Sequence, residues 1–156
     1  MIRAELSARS SRSHAATVME LPPPQCEPIV DSQPFAKLAV RTLPYDNDRL
    51  VVYLQAEGCQ FVRVDFDHVR VFRMLDEGDL CDFWDKYHTG KGWLYRVLQS
   101  GWFDLQSTRN DFITPRLFAN GIHEFLIVCD TCVSVLSTKD PTITRFGYSD
   151  EGTSNP

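Results

Sequence analysis

The fold of this chain is decided by its most apolar stretch, residues 122–137, which reads IHEFLIVC-DT-CVSVLS. Two strand-like runs flank the dipeptide Asp130-Thr131, a pattern typical of a hairpin with a two-residue loop. Such a hairpin brings residues into direct cross-strand pairs. The predicted pairs are Cys129 with Cys132, Val128 with Val133, Ile127 with Ser134, Leu126 with Val135, and Phe125 with Leu136.

Both faces of this predicted hairpin carry mostly apolar side chains. Because successive side chains of a strand point to opposite faces, an isolated ribbon would leave one apolar face in water. Strands that are apolar on both faces lie inside sheets that are covered on both sides. We therefore expect the hairpin at the centre of a larger sheet, with a packed layer on each face.

A second hairpin is predicted earlier in the chain, where residues 49–56 (RLVVYLQA) and 59–66 (CQFVRVDF) flank the turn Glu57-Gly58. In the second run apolar residues alternate with polar ones, so one face is expected to be buried and the other solvated. The alternation changes phase after Asp67-His68. This change predicts a bulge or bend at that dipeptide.

A third hairpin is predicted from residues 93–99 (WLYRVLQ) and 102–107 (WFDLQS), which flank Ser100-Gly101. The dipeptide Asn120-Gly121 is a further strong turn signal. Because proline cannot donate to a strand ladder, Pro115 limits the strand before that turn to an edge or a short piece.

One helix is predicted over residues 77–87. Four large apolar residues recur there at the spacing that lines one helical face. They are Leu80, Phe83, Trp84 and Tyr87. Asp76 is a favourable N-cap, and Gly90 supplies a stop after the last turn.

These patterns together predict an α+β fold. The expected architecture is a curved, mainly antiparallel sheet of six to eight strands with one principal amphipathic helix packed across it. A half barrel is an alternative form of this sheet. Strands do not alternate with long helices, so a doubly wound nucleotide-binding fold is not expected.

The chain is expected to hold one domain between two tails. Residues 1–34 are rich in Ser, Arg and Pro and predict a disordered N-terminal tail. Residues 35–143 form the single globular α+β domain, and residues 144–156, which are small and polar, form a flexible C-terminal tail. Met1 and Met19 are alternative start positions.

The composition favours a small acidic cytoplasmic protein. The chain has 156 residues and a formal charge of -5. Its scattered arginines form no basic surface for a nucleic acid, and no apolar run approaches the roughly 18 residues of a membrane span. The five cysteines are odd in number and widely spaced, which favours reduced thiols over a disulfide framework. We expect no nucleic-acid partner, no membrane and no cofactor.

Cys129 and Cys132 form the one close cysteine pair of the sequence. Two thiolates at this spacing can take adjacent corners of a zinc site, but no second such pair completes the ligand set. A redox pair needs a helix N-terminus, which a hairpin tip lacks. The favoured interpretation is packing beside the turn, and the alternatives are a metal site, a regulatory disulfide or a thiol-dependent enzyme.

The predicted helix also carries a dense set of acidic residues. Asp79, Asp82 and Asp85 share the side opposite the apolar stripe and form a predicted acidic ridge. The spacing does not match a calcium loop. Solvation of an exposed face explains the ridge, and docking of a more basic partner protein on these aspartates and Tyr87 is the functional interpretation.

Aromatic residues concentrate between residues 83 and 103. One interpretation is a core where the helix meets the sheet. The other is a small-ligand pocket lined by Trp84, Trp93 or Trp102, since ligand cavities are mainly apolar and aromatic.

No motif of linear spacing indicates catalysis. The glycines around Lys91 in HTGKG lack the remaining positions of a phosphate-binding loop, and neither a GxSxG elbow nor an HExxH helix occurs. In size, acidity and general character the chain resembles many bacterial toxin-neutralising immunity proteins, a likeness of composition that assigns no residue. The leading hypothesis is a noncatalytic protein-binding module, followed by a small-ligand-binding domain. A homodimer through an exposed strand edge is left open.

Overall fold

The computed structural model describes residues 22–29, 32, 35, 37–84, 86–118 and 121–147, and these residues build ten strands and few short helices. The strands are β1 (Gln25–Pro28), β2 (Leu38–Thr42), β3 (Tyr45–Asp46), β4 (Arg49–Ala56), β5 (Gln60–Phe66), β6 (Val69–Asp76), β7 (Leu94–Gln99), β8 (His123–Ile127), β9 (Thr131–Ser137) and β10 (Thr142–Gly147). The α-helices are α1 (Cys81–Trp84), α2 (Trp102–Ser107) and α3 (Thr114–Leu117), and short 3-10 helices cover Glu57–Cys59 and Glu77–Leu80.

The strands form two antiparallel sheets. Sheet I has the order β1-β7-β8-β9-β6, and sheet II has the order β10-β5-β4-β2, with β3 paired to β4. The mainly antiparallel fold is confirmed. The half barrel and the single principal helix are wrong, because the strands divide between two sheets instead of one that curves on itself, and each described helix is short.

The main core lies between the two sheets. Sheet II contributes Leu38, Leu50, Val52, Leu54, Ala56, Val62, Val64 and Phe66, and sheet I contributes Val69, Leu94, Phe125, Ile127, Val133 and Val135. Burying each of these valine, leucine, isoleucine and phenylalanine side chains stabilises the fold by about 1.5–3 kcal/mol before the entropy of ordering is counted. The two sheets therefore pack face to face through the side chains at alternate positions of each strand, which point to the same face.

The apolar hairpin of residues 122–137 takes the predicted central place, since β8 and β9 lie between β7 and β6. Its predicted register is wrong by one residue. The structure pairs Phe125 with Val135 and Ile127 with Val133. Both strands are apolar on both faces, so alternation alone does not fix the register.

The hairpin of β4 and β5 is confirmed, with Val62, Val64 and Phe66 buried against sheet I. The predicted bend at Asp67-His68 is the corner at which the chain leaves sheet II and enters sheet I. His68 has a positive φ of 57° there, a conformation that few residues other than glycine adopt.

The predicted helix over residues 77–87 is shorter than expected. A 3-10 turn at Glu77–Leu80 precedes α1, which ends at Trp84. The predicted cap is confirmed, because the Oδ1 atom of Asp76 accepts a hydrogen bond from the Gly78 amide at 2.9 Å. The segment therefore begins with a short 3-10 helix and not with the long α-helix that was predicted.

The third predicted hairpin is also wrong in its second half. β7 is present, but residues 102–107 form α2 instead of a strand. Pro115 lies in the first turn of α3, where its missing amide costs no helical hydrogen bond, and not in an edge strand.

The folded region extends beyond both predicted domain boundaries. β1 pairs with β7 and lies within the predicted N-terminal tail, and β10 pairs with β5 as far as Gly147. The strands to which β1 and β10 are hydrogen-bonded lie far away in the sequence, so local composition does not predict β1 or β10. Residues 1–21 and 148–156 of the predicted tails lie outside the described residues. None of the described helices has the length and apolar character needed to span a membrane.

Candidate functional site

The outer face of sheet I, which points away from sheet II, carries two covering segments. We call residues 77–84 with 86–87 the first cover, and residues 101–118 the second cover. The first packs over the half of the face that holds Leu126. The second packs over Glu124, which lies two residues earlier in β8 and so on the same face.

The first cover is held by apolar contacts. Leu80 is 5% exposed, and Phe83 and Tyr87 pack with it on a cluster of sheet I side chains. That cluster consists of Tyr95, Leu126, Val128 and Cys132. The Tyr87 ring meets the Tyr95 ring at 5.5 Å in an edge-on contact.

The residues predicted to bind a partner protein belong to this first cover. Tyr87 is half-buried, and its hydroxyl donates to the carbonyl oxygen of Pro24 at 3.3 Å. The backbone of Asp79 and Asp82 lies in the 3-10 turn and α1, while their side chains lie outside what the structure describes. Asp85 lies outside the described residues altogether.

The second cover is hydrogen-bonded to sheet I by one buried carboxylate. The side chain of Glu124 accepts hydrogen bonds from the amide of Trp102 at 3.0 Å and from the amide of Phe103 at 2.7 Å. These amides open α2, where backbone N–H groups have no partner within the helix. Glu124 is 6% exposed, and burial raises its pKa, although the two amides and the nearby Arg73 oppose that rise. A strand residue thus caps a helix that begins 22 positions earlier.

The approach of the second cover to the sheet depends on Gly101. A Cβ atom at this position would lie 2.5 Å from Oε2 of Glu124 and 2.5 Å from Cγ1 of Val97. Real Cβ atoms do not approach other heavy atoms so closely. Only glycine therefore lets the start of α2 reach the Glu124 carboxylate.

Two arginines of β6 add cation–π contacts to the same cover. The guanidinium group of Arg73 lies 4.5 Å from the Trp102 ring centre, and that of Arg70 lies 4.4 Å from the Phe118 ring centre. Each contact of this type contributes about 0.5–1 kcal/mol at an exposed site. Both ends of the second cover are thereby attached to the edge strand of sheet I.

The outward side of the second cover exposes large apolar side chains. Leu105 is 53% exposed, Ile113 is 58% exposed and Leu117 is 65% exposed. The amide of Leu117 donates to the carbonyl of Ile113, so these two residues lie one helical turn apart on one face. A contact between the Phe103 and Phe112 rings at 6.1 Å holds α2 beside the segment that leads into α3.

The tryptophans predicted to line a ligand pocket are distributed over different parts of the molecule. Trp93 is fully buried in the core between the sheets. Trp102 belongs to the second cover, on the other side of sheet I. The side chain of Trp84 lies outside what the structure describes. Neither described tryptophan side chain lines the cleft formed by Leu38 and Asp130 or the cleft formed by Phe35 and Phe146.

The two cysteines of the hairpin tip point to opposite faces of sheet I. Cys129 belongs to the core between the sheets, whereas Cys132 belongs to the cluster beneath the first cover. The Cys129 thiol donates to the carbonyl oxygen of Thr131 at 2.9 Å, and burial raises its pKa to about 12. The described residues contain no group of three or more potential metal-ligating side chains. A shared metal site on this pair has no support from the geometry.

A cleft of about 520 Å³ lies at a different place, where β2 meets the tip of the β8–β9 hairpin. It combines residues that lie far apart in the sequence, from Lys37 to Asp130. No linear motif could have indicated it. For Glu124 a signal did exist, because it is the one acidic residue in the apolar run 122–129.

Comparison of the chain with family models, with curated proteins and with solved structures finds no match.

Proposed function

We propose that this protein is a noncatalytic protein-binding module that docks its partner on the outward side of the second cover. The observation that carries the proposal is the exposure of Leu105, Ile113 and Leu117 on one 18-residue segment, residues 101–118. Single exposed apolar residues are common on soluble proteins, but Ile113 and Leu117 lie one helical turn apart on the same face, and neighbouring exposed apolar side chains are typical of protein-docking surfaces.

The anchoring of the second cover supports this role. Its inward side is fixed by the Glu124 hydrogen bonds, by Arg73 and by Arg70. The backbone that carries the outward leucine and isoleucine side chains is therefore already fixed, and it loses little conformational freedom when a partner binds. Apolar side chains that are preorganised in this way contribute most to the core of an interface.

The charges beside the apolar side chains indicate the chemistry of the partner. Arg109 is paired with Asp111 at 2.6 Å, whereas Arg116 makes no ion pair with a described residue. Arg116 lies between Ile113 and Leu117 in the sequence. A partner that places a carboxylate next to its apolar contact residues would complement this surface.

The acidic ridge remains a separate proposal for the same kind of function. If Asp79, Asp82 and Asp85, with Tyr87, dock a basic partner, then reversing the three charges should slow association and weaken its salt dependence. Unchanged binding would remove the ridge from the interface. The described contacts assign Tyr87 a packing role, so the second cover has the stronger support.

The test is capture of partners with the tagged full chain from a lysate of the cells that produce it. We compare the wild type with the double variant Ile113→Ser and Leu117→Ser, and with the matched control Leu98→Ser. Leu98 is 56% exposed but lies on β7, outside the second cover. The proposal predicts a partner that is retained by the wild type and the control and lost by the double variant.

A further variant, Arg116→Glu, separates the charge from the apolar contact. It should weaken binding of the captured partner most at low salt, since the interaction is screened as ionic strength rises. A partner that binds the double variant as well as it binds the wild type would contradict the site. Retention of no protein by the wild type would contradict the function.

A further inference from the structure

The edge strands of the two sheets differ in whether they can accept a further strand. Sheet I ends in β1 and β6, and sheet II ends in β10 and β2. The outer backbone N–H and C=O groups of an edge strand can pair with a strand of another molecule, and proteins block most such edges. The edge that carries no block is therefore the candidate for pairing between molecules.

Both edges of sheet I are blocked. The strand β1 has only four residues and ends in Pro28, which has no amide to donate. The strand β6 has a register shift between Val69 and Val71, and it carries two charged side chains, Arg70 and Arg73, that lie over aromatic rings of the second cover. Short length, proline, bulges and charged side chains all oppose edge-to-edge pairing.

The β2 edge of sheet II is blocked by the hairpin tip. The amide of Val40 donates to Oδ1 of Asp130 at 3.3 Å, and the carbonyl oxygen of Leu38 accepts from the amide of Asp130 at 3.4 Å. The register of β2 against β4 also shifts between Val40 and Thr42. Backbone groups that a further strand would need on β2 are therefore already engaged.

The strand β10 carries none of these devices. Its residues Thr142–Gly147 pair with β5 at six consecutive positions without a register shift. Its sequence, TITRFG, contains three β-branched residues and a phenylalanine, which favour a strand, and it contains no proline. Within the described part of the chain, β5 is the one strand that pairs with β10.

The side chains of β10 also leave the edge unguarded. Ile143 packs on the core between the sheets, so Arg145 lies on the same inner face, where its guanidinium group lies 5.4 Å from the Phe35 ring centre. The outer face of β10 holds Phe146, which is 44% exposed and stacks on Phe61 at 5.9 Å. The one charge of the strand is thus directed to the inner face, and the outer face is uncharged.

We propose that β10 pairs antiparallel with β10 of a second copy of the chain about a two-fold axis, so that sheet II continues across a homodimer. A two-fold axis uses the same surface of both copies. This strand suits such an interface because it is regular and can face its own copy without placing like charges opposite each other.

The side chains select one register for this pairing. Directly opposed residues share a face, so the axis must pass beside one residue of β10. An axis at Arg145 would place two like charges opposite each other, and an axis at Ile143 would bring only three residues of each strand into register. With the axis at Thr144, this threonine faces its own copy. Phe146 then lies opposite Thr142, and Arg145 lies opposite the uncharged Ile143.

Sedimentation of the full chain over a concentration series tests the proposal. The series should extend to about 1 mM, since interfaces of small area are often weak. The wild type should pass from monomer to dimer as its concentration rises. Amide exchange at the two ends of the series should show that every second amide of β10 gains protection, because successive amides of a strand point to opposite edges.

Two variants of Thr144 test the position of the axis. Thr144→Lys and Thr144→Glu each place like charges opposite each other and should weaken dimerisation about two- to fivefold. An equimolar mixture of the two should dimerise at least as tightly as the wild type, because lysine then faces glutamate. The matched control is Thr42→Lys, which changes an exposed threonine of the β2 edge and should leave dimerisation unchanged. Thermal unfolding checks that every variant is folded.

A wild type that stays monomeric over the whole series would overturn the proposal. Dimerisation that the Thr144 variants leave unchanged, or a mixture that dimerises no better than either variant alone, would overturn it as well. Protection of β10 amides by a captured partner, with a monomeric free chain, would assign this edge to a strand of another protein instead. The variant Ile113→Ser and Leu117→Ser should dimerise as the wild type does, so a failure of partner capture and a failure of dimerisation are seen separately.

Discussion

The two covers of sheet I lie on the same face of the same sheet, yet they are held by different forces. The first is anchored by Leu80, Phe83 and Tyr87 on an apolar cluster. The second is anchored by a buried carboxylate and two arginine–aromatic contacts. Apolar anchoring removes the side chains of a segment from solvent, whereas polar anchoring of the backbone leaves its apolar side chains available. This difference accounts for the exposure of Leu105, Ile113 and Leu117 on the second cover.

The largest effect should follow from removing the apolar anchor of the first cover. Leu80→Ala deletes most of a side chain that is 5% exposed, and such substitutions cost about 2–5 kcal/mol through lost burial and the cavity left behind. Chemical denaturation measures the loss. The matched control is Leu105→Ala in the second cover, where the side chain is 53% exposed and the change should stay within about 0.5 kcal/mol. Equal losses in the two variants would contradict the contrast between the covers.

A smaller effect should follow from disturbing the polar anchor of the second cover. Gly101→Ala places a methyl group 2.5 Å from Glu124 and Val97, so the start of α2 must move away from the sheet, at a cost of about 1–3 kcal/mol. Gly121→Ala is the matched control, since no heavy atom lies within 4 Å of its added Cβ. Similar stabilities of the two variants would show that the close approach at Gly101 is unimportant.

The polar anchor should also make stability depend on pH. Because burial raises the pKa of Glu124, its contribution to folding is complete below its unfolded pKa and is lost as the pH rises through the folded pKa. Glu124→Gln cannot ionise. The variant should therefore gain stability relative to the wild type as the pH rises through this window. Parallel curves of unfolding free energy against pH for the two proteins would contradict a buried, titrating carboxylate.

The smallest effect on stability should come from the outward side of the second cover. Leu117→Ser replaces a side chain that is 65% exposed, so the free energy of unfolding should change by less than about 0.5 kcal/mol. Thermal or chemical unfolding measures this value. A loss of more than about 1 kcal/mol would mean that Leu117 packs within the protein, and the docking surface would then lose one of its three exposed apolar residues.

The comparison of the covers also shows what the sequence could predict. The spacing of Leu80, Phe83 and Tyr87 predicted which side of the first cover is buried, because apolar residues three or four positions apart lie on one side of a helix. The strand Arg49–Ala56 and the corner at Asp67-His68 were visible for the same reason, through the period and phase of alternation. Local apolar patterns thus located β4, β5, β7, β8, β9 and one cover.

The second cover was mispredicted because its determinants are distant. The run WFDLQS alternates as a strand would, and its helical state is supported by the carboxylate of Glu124, 22 residues after Trp102. Similarly, the division into two sheets depends on which strands pair, and the cleft depends on β2 meeting the hairpin tip. The candidate sites therefore became visible only from the tertiary structure.

Amide hydrogen exchange of the free protein and of its complex with a captured partner tests the docking claim most directly. The account predicts that the amides of α2 and α3 gain protection in the complex, while those of the 3-10 turn Glu77–Leu80 and α1 exchange as before. Protection of the first cover with unchanged exchange in the second would contradict the claim and would place the interface on the side of the acidic ridge.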